Sequence, residues 1–131
     1  MRILIVDDDY TSRTQLKSLL SAYGDCDAAP NGATALLMLR DAFDNQLPYS
    51  LVTMDLEMPE MRGPEVLSFI RAFEAKREVP VRAQTKVVMV TVKNNLKDVE
   101  ESYQQECSGY LVKPATPQNI KKVLAEIGLA L

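Results

Sequence analysis

The chain has 131 residues, 47% of them hydrophobic and 25% charged, with a net charge of −3. That balance fits one soluble domain with its own core, and the sign of the charge argues against nucleic acid as a partner. No apolar run approaches the ~18 residues of a membrane span, no signal-peptide core follows Arg2, and the lack of histidine excludes His-based triads and His-containing metal sites.

Short apolar runs alternate with amphipathic stretches along the chain, which predicts βα units and a parallel sheet. The first strand is about Arg2 to Val6. A helix follows over about Thr11 to Ala22, with Leu16, Leu19, Leu20 and Tyr23 at helical spacing and Gly24 as its stop. Asp25 to Ala29 is a weaker strand, and Pro30-Asn31-Gly32 is turn chemistry. Ala35, Leu36, Leu39 and Phe43 mark a second helix, and a polar loop leads to a third strand, Leu51 to Met54.

Pro64 opens a third helix carrying Val66, Leu67, Ile70 and Phe73. Glu74 to Lys86 is charged, contains Pro80, and reads as a long exposed connection. Val87 to Val90 is the fourth strand, about Leu96 to Glu106 a weak fourth helix, and Tyr110 to Val112 the fifth strand. Pro117 opens a last helix with Ile120, Val123, Leu124, Ile127 and Leu131 on one face. Alternation fills the chain, so residues 1–131 read as one domain. Cys26 and Cys107 read as small buried residues in a reducing cytoplasm, not as a disulfide framework.

Four of the runs end in chemically capable residues: Asp7-Asp8-Asp9, Asp55, Thr91 and Lys113. In an open parallel sheet the ligand crevice lies outside the carboxyl ends of the strands. Clustered carboxylates repel one another, and a hard divalent cation such as Mg²⁺ relieves that. Asp55 is the candidate nucleophile, because a carboxylate can attack phosphorus to form an acyl phosphate. The Thr91 hydroxyl could donate to a phosphoryl oxygen, and the Lys113 ammonium could neutralise charge on the transferring group. Pro114 makes the preceding peptide a candidate for the cis form. Each residue also has a plain reading, as a helix or turn cap (Asp9, Asp55), a strand residue (Thr91) or a surface lysine (Lys113). Only the combination points to phosphoryl chemistry.

The segments Ile3 to Asp9, Met54 to Gly63, Val88 to Thr91 and Gly109 to Pro114 resemble, in order and spacing, the motifs of the receiver domain of two-component response regulators. The layout is that of single-domain regulators such as those of chemotaxis. The resemblance implies a doubly wound, flavodoxin-like (βα)5 three-layer sandwich, its parallel five-stranded sheet ordered 2-1-3-4-5, with no output domain. Asp55 is then the phosphoacceptor. Asp8, Asp55 and the backbone carbonyl of Glu57 bind Mg²⁺, for which Mn²⁺ could substitute, and Asp7 acts through metal-bound water. Thr91 and Lys113 hold phosphoryl oxygens, and Tyr110 turns inward when Thr91 moves toward the phosphate. The implied partners are a sensor histidine kinase or phosphotransfer protein and a downstream protein target. The target reads the face of the 96–106 helix, the fifth strand and the last helix, through which a homodimer could also form. The implied role is that of a cytoplasmic switch, not a dedicated enzyme, with no membrane or nucleic-acid contact.

The sequence departs from the family pattern at Arg62, where Asp is usual, and at Val92, where Ala or Gly is usual. Glu57 and Lys93 occupy variable positions near the acceptor. Two other readings compete. Asp7-Asp8-Asp9-Tyr10-Thr11 also fits a haloacid-dehalogenase-type phosphatase, with Asp7 as nucleophile and Asp9 as acid/base, though no acidic pair follows Lys113. A receiver-like binding module independent of phosphorylation is the other.

Overall fold

The computed structural model describes residues 1–56, 58, 61, 63–92 and 107–129. Five strands, β1 (Arg2–Val6), β2 (Asp25–Ala29), β3 (Leu51–Asp55), β4 (Lys86–Thr91) and β5 (Gly109–Val112), form one sheet in the order β2-β1-β3-β4-β5. Every pairing is parallel. Among the described residues, the helices are α1 (Tyr10–Leu20), α2 (Gly32–Asp44), α3 (Gly63–Lys76) and α4 (Pro117–Glu126), with a 3-10 turn at Val81–Ala83. The predicted 96–106 helix lies outside the described residues, as do Glu57, Arg62 and Lys93.

The central strands β1, β3 and β4 are buried without alternation because both faces of the sheet are covered there, whereas the edge strands β2 and β5 alternate in burial. Leu4, Val6, Val52, Met54, Val87 and Met89 point into a core closed by α2 and α3. Ile3, Ile5, Leu51, Val88, Val90 and Leu111 point into the opposite core, closed by α1 and α4. Side chains alternate across a strand, so the central strands feed both layers, and the parallel pairing brings all five carboxyl ends to one common edge.

Local signals begin the helices. Asp9 caps α1 through Oδ2, which accepts the Ser12 N–H at 2.9 Å. Asn31 caps α2 through Oδ1, which accepts the Thr34 N–H at 2.8 Å. Thr116 and Asn119 form a capping box on α4, with Pro117 in its first turn.

Three expectations are corrected. Gly24 does not stop α1, which ends at Leu20 with Ser21 as its C-cap. A Cβ at Gly24 would meet the Met1 carbonyl oxygen at 2.2 Å, so the glycine admits the chain start. The stretch from Glu74 to Lys86 is largely exposed as expected, but shorter as a connection: α3 runs on to Lys76, and Glu74 and Thr85, at its two ends, are buried. Cys26 and Cys107 are free and half-buried rather than buried, and what burial they have pushes both thiols above their ordinary range.

A polar chain ties the amino ends of β1, β3 and β4 to Asp27 in the middle of β2, away from the carboxyl edge. Arg71 Nη1 lies 2.6 Å from Glu74 Oε1 and donates to the Thr85 carbonyl at 2.9 Å. Thr85 Oγ1 donates to the Tyr49 carbonyl at 2.9 Å, and the Tyr49 hydroxyl donates to Asp27 Oδ2 at 2.7 Å. The Arg2 guanidinium stacks 4.4 Å from the Tyr49 ring centroid and bonds to the Leu47 carbonyl.

Candidate functional site

The carboxyl edge gathers the predicted residues through strand register. Asp55 pairs with Val90, and Thr91 pairs with Val112. Asp55, Thr91 and Lys113 therefore leave three neighbouring strands side by side, with Asp7 and Asp8 just beyond β1. The Lys113 N–H donates to the Thr91 carbonyl at 2.7 Å and carries the β4–β5 ladder to the edge.

Carboxylate oxygens of Asp7, Asp8 and Asp55 lie within 4.8 Å of one another. Asp7 is fully buried and Asp55 nearly so, whereas Asp8 is exposed. Lys113 Nζ bridges the two buried carboxylates, 3.2 Å from Asp7 Oδ2 and 3.5 Å from Asp55 Oδ2. Burial pulls the Lys113 pKa down, but the charges of Asp55 and Asp7 outweigh it, and the net direction is upward. Three carboxylates against one ammonium leave an excess of negative charge that a divalent cation would match. An all-oxygen donor set with one exposed member suits a hard cation that keeps part of its water shell.

The other predicted residues are at hand. Thr91 is buried, and its hydroxyl donates to the Val92 carbonyl at 3.2 Å. Val92 itself is 58% exposed. Tyr110 is 44% exposed on β5. The Lys113–Pro114 peptide is cis. Asp9 stands apart from the cluster, since its carboxylate caps α1.

Sequence reasoning passed over Arg13, whose Nη1 donates to the Asp7 carbonyl at 2.8 Å. An arginine in the first turn of an amphipathic helix carries no signal that it will fold back onto the strand end.

The sequence profile of the response regulator receiver domain matches residues 3–125. The chain is 36% identical over 129 residues to the chemotaxis protein CheY-3 of Vibrio cholerae, covering 97% of this chain and 91% of that protein. It is 35% identical over 129 residues to the chemotaxis protein CheY of Pseudomonas aeruginosa, covering 97% and 95%. Among solved structures, it matches a chain in the co-crystal of the Saccharomyces cerevisiae phosphotransfer protein Ypd1 with the receiver domain of the response regulator Ssk1. The TM-score is 0.82 at 26% identity, over 100% of this chain and 92% of that one.

Proposed function

The chain belongs to the response regulator receiver domain family and serves two-component signalling, and from that premise we propose that Asp55 accepts a single phosphoryl group from a phosphohistidine. The observation that carries this reading is the convergence of Asp7, Asp8 and Asp55 oxygens within 4.8 Å, with Lys113 on the Asp55 carboxylate.

An Asp55 oxygen attacks phosphorus, the bond from phosphorus to the donor nitrogen breaks, and the electron pair leaves with the imidazole. Lys113 neutralises charge on the equatorial oxygens of the transferring group. Thr91 exchanges its hydrogen bond to the Val92 carbonyl for one to a phosphoryl oxygen. Asp8 and Asp55 would hold Mg²⁺ directly and Asp7 through water, while the expected backbone ligand, Glu57, lies outside the described residues. When bound, the ion offsets charge as phosphorus changes partners.

The consequence is a shift of Tyr110 from its exposed position toward the space Thr91 vacates, which alters the surface of β5 and α4 for a downstream protein. The donor is a histidine kinase or a phosphotransfer protein, a reading supported by the likeness to the structure holding the Ypd1–Ssk1 pair. The protein works as a cytoplasmic switch of one receiver domain rather than as a turnover enzyme. No described helix is long and apolar enough to cross a membrane. The phosphatase reading suffers from the engagement of Asp9, its acid/base, as the cap of α1.

Intact mass after treatment with Mg²⁺ and a small phosphodonor tests the reading. Wild type should gain one phosphoryl group and Asp55→Asn none. Equal gain by both proteins refutes the acceptor, and no gain by wild type favours a phosphorylation-independent module.

A further inference from the structure

We infer that Arg13 is a positioning residue for the divalent-cation site, fixing the Asp7–Asp8 peptide so that Asp8 stands beside Asp7 and Asp55. This rests on the metal reading above and adds a residue outside the carboxylate set.

Asp8 is the exposed member of the cluster, so core packing does not place it. Its placement has to come from the backbone. Asp7, by contrast, is held at each polar group. Its N–H donates to the Ala29 carbonyl at 3.2 Å, Oδ1 accepts the Asp9 N–H at 2.9 Å, and Oδ2 lies 3.2 Å from Lys113 Nζ. The fourth contact, from Arg13 Nη1 to the Asp7 carbonyl at 2.8 Å, reaches the one group that belongs to the next peptide.

The Asp7 carbonyl and the Asp8 N–H share a rigid plane. A guanidinium that fixes the carbonyl therefore fixes the direction in which the chain leaves Asp7, and with it the Asp8 Cα. Arg13 is anchored for this task. Its N–H donates to the Asp9 carbonyl at 2.9 Å in the first turn of α1, and its guanidinium lies 5.6 Å from the Tyr10 ring centroid.

The sign of the mutational effect separates positioning from charge. A guanidinium beside a cation site repels the cation, so a purely electrostatic Arg13 would weaken binding and its removal would tighten it. A residue that orients a ligand without touching the ion does the reverse, and its loss costs about tenfold in metal affinity.

Calorimetric titration of the full chain with Mn²⁺, beside thermal unfolding of the metal-free protein, decides between them. Arg13→Ala should bind about tenfold more weakly, and Arg13→Lys, which keeps a donor, should recover part of the loss. Binding by Arg13→Ala as tight as wild type, or tighter, overturns the inference. If Arg13→Ala does not fold, Arg13→Lys serves: it must bind more weakly than wild type despite its charge, and equal binding overturns the inference. Wild type that takes up no Mn²⁺ removes the metal site and this inference together, whereas wild-type uptake with an unaltered variant removes only the inference.

Discussion

Glu74, fully buried near the carboxyl end of α3, accepts the backbone N–H of Thr85 through Oε2 at 2.7 Å. The contact fixes α3 to the start of β4, the strand whose far end carries Thr91. The other carboxylate oxygen faces Arg71 at 2.6 Å, and Arg71 also holds the Thr85 carbonyl.

Removing one partner of a buried ion pair leaves the other uncompensated. Glu74→Ala should therefore lower unfolding free energy by about 3 kcal/mol, read from urea melts. A loss under ~1 kcal/mol, typical of an exposed pair, would mean that the contact does not clamp α3 to β4.

The strands and the site were readable for one shared reason. In a sheet covered on both faces the apolar runs are continuous, so the first polar residue after each run marks the edge where the crevice lies. Asp7, Asp55, Thr91 and Lys113 all announce themselves in this way. Glu74 does not, because its partner Thr85 is eleven residues on, beyond a charged, Pro80-containing stretch that looks solvated. Tyr49 sits in a polar loop in sequence yet is buried, held by Asp27 from a different strand. Arg13 is hidden likewise: only the fold brings its guanidinium back to Asp7.

Tyr49 gives the molecule an alkaline weakness. Burial first, then its hydrogen bond and proximity to the Asp27 carboxylate, push its pKa up to about 12. The phenol stays protonated in the folded chain while the unfolded chain ionises near pH ~10. The stabilisation is thus complete below that pH and is lost as pH rises toward 12. Its size is roughly 3 kcal/mol. Tyr49→Phe should flatten the fall in urea midpoint between about pH 10 and 12, at a cost near neutrality of about 1 kcal/mol for the lost hydrogen bond. An unchanged slope would place the alkaline transition elsewhere.

Lys113 stands where it balances two carboxylates in the metal-free protein. Lys113→Ala should lower stability without metal by roughly 2 kcal/mol, less than for a fully buried pair because the lysine side chain is 22% exposed. The same change removes a competing positive charge, so Mg²⁺ should raise the melting temperature of the variant more than that of wild type. A smaller Mg²⁺-induced rise than in wild type would contradict the balance.

Two glycines near the ends of the chemistry and of the chain are constrained by different causes, and the difference is measurable. A Cβ on Gly63 would stand 2.6 Å from the Asp55 carbonyl oxygen and 3.2 Å from the Leu56 Cα, both backbone atoms that cannot rotate aside. The Gly63 N–H also donates to the Leu56 carbonyl at 3.3 Å, which closes the acceptor loop onto the start of α3. Gly63→Ala must therefore push the backbone at Asp55, and misplacing a reacting group by ~1 Å costs about 10²-fold in rate. Gly128 has nothing within 4 Å of its Cβ position, but its φ is +83°, so Gly128→Ala should lose about 1 kcal/mol of stability. Its phosphorylation rate should match wild type. Stopped-flow phosphorylation beside thermal melts would separate the two, and a Gly63→Ala protein phosphorylated at the wild-type rate would show that the loop closes on Asp55 without positioning it.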